Sequence, residues 1–440
     1  MTDQGGPLSR GNNLDPWYNH YAQRTTGLAA SEVRALFAVA SRPEVVSLAG
    51  GMPFVAALPE DLVIGAMERV MREQGPVALQ YGSGQGVPAL REQVLEVMAL
   101  EGISASADDV VITTGSQHAL ELFSKLFIDP GDVVLAEGPS YVTAMVIFRS
   151  YQAEVDHVPM DEHGLIPEAL REHIARLKSA GRKVKFLYTI PTFHNPAGVT
   201  LSWERRLEIL EIARENDILV LEDNPYGLLY FGERPPAALR SVERDGVVYL
   251  GTFSKTLAPG FRVGWALAPH AIREKLILAN EAAVLSPSSF SQLVVSEYLR
   301  DADWKAQIDT FRGVYRERKE TIISALEEHL PELSWTNPNG GFYVWLTLPA
   351  HLDSKAMLPR AVTELVAYTP GTAFYADGNG RQNIRLSFCY PTPENIRVGI
   401  RRLANVINGE QDLLDTFAGT GRLSTRLPDR NSANPPTDLR

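Results

Sequence analysis

Lysine usually marks solvated surface, but Lys255 stands in GTFSKTLAPGFRVGW (251–265), among Ser, Thr, Gly and Pro, with Arg262 seven residues on. A phosphate needs a guanidinium and hydroxyl donors. This stretch supplies Thr252, Ser254 and Arg262 beside one nucleophilic amine. The plainer alternative is a surface loop with ordinary cations. TGSQHAL (114–120) offers a second anion site, with Gly115 making a tight turn and Ser116 and Gln117 opening a helix. Free N–H groups and the helix dipole gather there, although a simple N-cap would have the same sequence. In DNPYG (223–227) Asp223 follows an apolar run, which suits either a carboxylate facing a cleft or a turn residue. In PTFHNPAG (191–198) two prolines bracket Asn195 and stiffen the backbone around its amide. We read the adjacent His194 as a neighbour of the site rather than a proton carrier.

These residues need elements to hold them. Residues 1–25 are polar. Ser31 can cap a helix carrying Val33, Leu36, Phe37 and Ala40 on one stripe, and Pro43 ends it before the loop SLAGGMP (47–53). Helices are expected over 62–74, 89–101, 119–127 and 203–215. Apolar, β-rich runs occur at 110–113, 133–136, 154–158, 186–190, 218–222, 247–250 and 264–268. Seven such strands with helical crossovers predict a mostly parallel, doubly wound α/β sheet. Ligands of such sheets bind at the carboxyl ends of the strands, where the motifs above fall.

Past about residue 290 the pattern changes to a long charged helix (303–330), strands at 340–349 and 384–390, and a helix over 393–408. This predicts a smaller α+β domain. The division expected is an N-terminal arm and helix (1–60) reaching the small domain and the site, a large domain (61–290), a small domain (291–408) and a disordered tail (409–440).

The 440 residues are 45% hydrophobic, ample for a large core, and the net charge of −11 disfavours nucleic acid and anionic membranes as partners. The single cysteine, Cys389, can form neither an internal disulfide nor a thiolate metal cluster, so no metal is expected. The N-terminus has no apolar signal region, and no apolar run is long enough to span a membrane. The expectation is a soluble, cytoplasmic protein.

Together, TFSKTLAPGFRVGW, PTFHNPAG and DNPYG resemble the class I/II aminotransferases, enzymes of fold type I that depend on pyridoxal 5′-phosphate (PLP). ASEVRALFAVASRPEVVSLAGGMP and LQYGSGQG are similar to the 2-aminoadipate, kynurenine and broad-specificity subgroup. The resemblance runs from about residue 30 to 408. It implies that Lys255 holds PLP as a Schiff base, and that its freed amine carries a proton between the substrate Cα and the cofactor carbon C4′. It implies that Asp223 pairs with the pyridine nitrogen, that Asn195 and Tyr226 donate to the ring oxygen, and that Tyr141 stacks on the ring. The phosphate would be held by Ser116, Gln117, Thr252, Ser254 and Arg262, and by Tyr81 of a neighbouring subunit in a homodimer with composite sites. Arg385 would grip the substrate α-carboxylate, with Asn195 and Gly51 lining the substrate site. Arg34 matches an arginine that contacts a second carboxylate, or is an exposed helix residue.

The implied reaction is a two-step transfer of an amino group from an L-amino acid (2-aminoadipate, aromatic or branched aliphatic) to 2-oxoglutarate. Decarboxylase, lyase, cyclase or oxidase chemistry on the same cofactor is the alternative. A PLP-sensing transcriptional regulator is a remote one, because the 46 residues before SLAGG are too few for a DNA-binding domain and linker.

Overall fold

The computed structural model describes Trp17, residues 20–27, Arg42 and residues 44–417. The helix expected from Ser31 and the candidate Arg34 lie outside the described residues.

The chain enters through β1 (Val46–Ser47). It then lays down β2 (Val110–Thr113), β3 (Val133–Gly138), β4 (Glu154–Asp161), β5 (Gly164–Leu165), β6 (Val184–Thr189), β7 (Leu219–Asp223), β8 (Val247–Thr252) and β9 (Gly264–Leu267). The last eight form one sheet in the order β2-β9-β8-β7-β6-β3-β4-β5. This has one strand more than expected. The extra strand, β5, is a two-residue antiparallel partner of β4, too short to leave a period in sequence. β2, β6 and β8 are buried or nearly so along their length, which explains their continuous apolar runs. Helices cover both faces. One of them, Trp203–Glu215, starts where Ser202 accepts from the Arg205 amide and buries Ile209, Leu210, Ile212 and Ala213.

Strand direction gathers the motifs at one edge. β3, β6, β7 and β8 run parallel, so Gly138, Thr189, Asp223 and Thr252 end at the same side. β9 runs antiparallel between β2 and β8, and pairs Gly264 with both Thr113 and Thr252. Arg262, just before β9, therefore sits level with residues that come just after β2 and β8.

A second sheet follows. β10 (Ser334–Trp335), β11 (Tyr343–Thr347), β13 (Thr369–Pro370) and β14 (Asn383–Ser387) pair antiparallel in the order β10-β11-β14-β13, while β12 (Val366–Ala367) pairs parallel with β1. β1 is thus tied to chain more than 300 residues later. The Ser387 amide extends the tie by donating to Leu48 O at 2.7 Å. The final helix, Pro393–Phe417, continues past the expected end at Asn408 into the segment read as tail. Gly409 is a weak helix former, but an ion pair between Arg360 and Glu410 (2.8 Å) holds the next turn against helix Ser354–Thr363. No helix among the described residues is long and apolar enough to cross a membrane.

Candidate active site

Between the carboxyl edge of the large sheet, the second sheet and the loop after β1 lies a cavity of about 300 Å³. Ser116, Gln117, Tyr141, Asn195, Asp223, Tyr226, Thr252, Ser254, Lys255, Arg262, Gly51 and Arg385 all line it. Tyr81 does not. It is 78% exposed, next to the exposed Leu79, beyond the cavity of its own chain. His194 is also off the cavity, 1% exposed, with Nε2 3.1 Å from Glu137 Oε2 and Nδ1 accepting from the Ala197 amide.

One end of the cavity is built for an anion. Gly115, at φ 85°, turns the chain into helix Ser116–Phe127, whose first amides have no partner within the helix. A Cβ on Gly115 would stand 2.6 Å from Arg262 Nη2, so the missing side chain lets the guanidinium close on the turn. Ser254 Oγ lies 3.4 Å from Arg262 Nη1 and 3.0 Å from Thr252 Oγ1.

In the middle, Asp223 is 5% exposed and uses only one oxygen. Tyr188, wholly buried in β6, donates to Oδ2 at 2.8 Å, while Oδ1 is buried with no partner. Burial raises the Asp223 carboxyl to about 6, against the lowering effects of Tyr188 and the Lys255 charge. An unsatisfied buried carboxylate oxygen lining a cavity calls for a donor or a cation from outside the chain. Across from it Lys255 donates to Gly51 O at 2.9 Å. Burial lowers the Lys255 pKa, and Arg385 and Arg262 add to the lowering, so the amine sheds its proton more readily than a surface lysine.

At the far end Arg385, 4% exposed, donates from Nη1 to Asn195 Oδ1 (2.9 Å) and from Nη2 to Ala49 O (2.6 Å). Its guanidinium is flanked by the rings of Tyr343 (4.3 Å) and Phe374 (4.8 Å). Nε is buried with no partner. The Arg385 contact engages the Asn195 carbonyl and leaves its Nδ2 to donate elsewhere.

Among the unanticipated residues, Tyr188 and Tyr343 bear most directly on the site. Tyr188 sits in FLYTI, where it reads as core. The signal was its hydroxyl, since a tyrosine in a buried strand must find a polar partner. Tyr343 sits in GGFYVW and also reads as core. Its signal was the preceding glycine pair: a Cβ on Gly340 would lie 2.3 Å from the Phe193 ring, and one on Gly341 2.8 Å from Phe193 Cβ. These close approaches bring the Pro191–Gly198 loop against the start of β11.

The fold and this cavity define a PLP-dependent transferase of fold type I. Residues 45–403 match the family "Aminotransferase class I and II", and the chain belongs to that family. It is 40% identical to aromatic-amino-acid aminotransferase 1 of Thermococcus litoralis, over 89% of this chain and 94% of that one. The kynurenine aminotransferase structure of Pyrococcus horikoshii superposes with a TM-score of 0.86 at 39% identity, covering 90% of this chain and 99% of that one. The α-aminoadipate aminotransferase of Thermus thermophilus, solved with N-(5′-phosphopyridoxyl)-L-leucine, gives a TM-score of 0.84 at 36% identity, with 90% and 99% covered. The protein is a PLP-dependent aminotransferase, and the cavity's free Asp223 oxygen, its amine and its anion-binding end fit that cofactor.

Proposed function

We propose that this enzyme transfers the amino group of an L-amino acid (2-aminoadipate, aromatic or branched aliphatic) to a 2-oxo acid, 2-oxoglutarate, in two half-reactions. The observation that carries the reading is Arg385, clamped between two rings with a buried, unpartnered Nε. Every α-amino acid and 2-oxo acid shares the carboxylate such a fork recognises. Beside it the wall is apolar or aromatic, with Tyr141, Ile190, Met52 and Tyr343, which suits large uncharged side chains. The relatives named for aromatic amino acids, kynurenine and aminoadipate support the same breadth. For substrates with a second carboxylate the proposed contact is Arg34.

In this reading Ser116, Gln117, Thr252, Ser254 and Arg262 hold the cofactor phosphate, Tyr141 covers the ring, and Asn195 Nδ2 and Tyr226 donate to the ring oxygen. Lys255 forms the covalent link. When bound, PLP provides an electron sink for the charge left at the substrate Cα. Asp223 Oδ1 meets the ring nitrogen and keeps it protonated. Arg385 fixes the carboxylate and so aims the Cα–H bond. Lys255 Nζ, with its pKa lowered by burial, would take the proton from the substrate Cα and return it to the cofactor carbon C4′.

We assign residues 61–290 to a large cofactor domain, 291–408 to a small domain, and 1–60 to an arm joining the small domain, a reading supported by the β1–β12 pairing. We also assign a homodimer with Tyr81 serving the partner's phosphate site. The exposed Met67, Met71 and Val77 of helix Glu60–Ala78, and Leu79 between that helix and Tyr81, support an interface.

The test is a panel of amino donors with 2-oxoglutarate. Glutamate and the matching oxo acid should appear in equal amounts. Release of carbon dioxide or ammonia without glutamate would move the assignment to a decarboxylase or lyase.

A further inference from the structure

We propose that Tyr343 is a positioning residue for the reaction: its hydroxyl donates to Tyr226 and thereby strengthens the hydrogen bond that Tyr226 gives to the cofactor ring oxygen. This rests on the role given to Tyr226 above.

Tyr343 opens β11, where Tyr343↔Ser387 and Trp345↔Arg385 are cross-strand partners. Alternation along the strands puts Tyr343 and Arg385 diagonally on one face, and the guanidinium rides over the Tyr343 ring at 4.3 Å. From that face the Tyr343 hydroxyl reaches to 3.3 Å from the Tyr226 hydroxyl, with the two rings perpendicular at 90°. The arm leaves room for it: a Cβ at Gly51 would fall 2.0 Å from Tyr343 Oη. Three separate segments therefore converge on one hydroxyl.

The two hydroxyls share two protons. Both tyrosines are 3% exposed, and burial pushes both phenols up, so each stays protonated. In the chain alone Tyr226 donates to Tyr343. Once the proton of Tyr226 points at a ring oxygen, its own oxygen becomes an acceptor. The pair then stays bonded only if Tyr343 turns to donate, and among the described residues the Tyr343 hydroxyl has no other hydrogen-bond partner. A donor that also accepts is polarised, and its outgoing bond strengthens by roughly 10–30%. At 3.3 Å the contact is longer than the ~2.8 Å of a well-formed hydroxyl pair, so it has room to tighten. The nearby Arg385 charge favours the same polarisation by making the Tyr343 O–H a better donor.

The consequence is readable without turnover. Donors to the ring oxygen stabilise its negative charge, which is greatest when the nitrogen linking Lys255 to the cofactor has lost its proton. They therefore lower the pH at which the chromophore changes colour. We expect holoenzyme carrying Tyr343→Phe to show that absorbance midpoint raised by about half a pH unit. Tyr226→Phe should raise it further, and the double variant should match Tyr226→Phe alone, because the Tyr343 effect passes through Tyr226. A midpoint unmoved by Tyr343→Phe while Tyr226→Phe moves it overturns the inference, as does a Tyr343 shift that persists in full without the Tyr226 hydroxyl. If Tyr226→Phe itself leaves the midpoint in place, the role of Tyr226 fails and the inference falls with it.

Discussion

Asp223 has one oxygen committed to Tyr188 and one left bare, and this asymmetry gives the residue its direction. The Tyr188 hydroxyl fixes the carboxylate so that Oδ1 is the oxygen available to a ring nitrogen. Removing the carboxylate should leave the anion-binding end intact, because none of the groups there is bonded to Asp223. We expect Asp223→Ala to bind PLP, weakly, while kcat falls about 10²–10³-fold, the usual loss when a preorganised electrostatic partner is deleted. Tyr188→Phe keeps the carboxylate and frees its orientation, so its loss should be smaller. Steady-state kinetics at saturating cofactor, with bound PLP counted by absorbance, separate the two effects. Turnover of Asp223→Ala near that of the wild type would show that another group protonates the ring.

At the scale of elements, the carboxyl edge works because an antiparallel strand is set among parallel ones. β9 starts at Gly264, whose absent side chain leaves space for the next element: a Cβ there would stand 2.5 Å from the Ser116 amide nitrogen and 2.6 Å from the Gly115 carbonyl carbon. Those are backbone atoms, so Gly264→Ala must push the Gly115–Ser116 turn away from Arg262. Overpacking of this kind costs about 1–3 kcal/mol, and it falls on the phosphate site. PLP affinity, titrated by fluorescence quenching, should weaken about ten- to a hundredfold with helix content by circular dichroism unchanged. Unaltered affinity would mean that the turn plays no part in holding the cofactor. All seven strands of this sheet expected from sequence were legible: β2, β3, β6, β7, β8 and β9 as short, largely buried apolar runs between turn signals, and the more exposed β4 by the valines of EVDHV. The residues at their ends were legible for a related reason: Asp223 and Lys255 interrupt that pattern with groups that need partners. β5, β12 and the β1–β12 pairing were not, since two residues carry no period and their partners lie far along the chain. Tyr343 was hidden differently. Only the tertiary approach of β11 to the Asn195 loop shows that its ring faces a cavity instead of the core.

At the scale of the whole molecule, one chain does not complete its own phosphate site in our reading. Tyr81 follows helix Glu60–Ala78, and the chain leading to it exposes apolar side chains, with Val77 61% and Leu79 74% exposed. Scattered single apolar residues are ordinary on a surface, but several together beside an aromatic hydroxyl mark a contact face. A two-fold interface would place the Tyr81 of each chain near the other's Arg262, so each site would draw Lys255 from one chain and Tyr81 from its partner. Mixing inactive variants tests this. Lys255→Ala removes the covalent link, while Tyr81→Ala removes a charge-assisted contact worth about ten- to a hundredfold in cofactor affinity, so the assay is run at limiting PLP. In a mixed dimer one site then collects both lesions and the other collects neither. Random exchange at equal amounts should restore about a quarter of the wild-type sites, with exchange verified by mass-tagged chains. If Tyr81 served its own chain, every site would keep one lesion and mixing would restore nothing. That result would detach Tyr81 from the partner's cofactor and leave the exposed face of helix Glu60–Ala78 without a catalytic purpose.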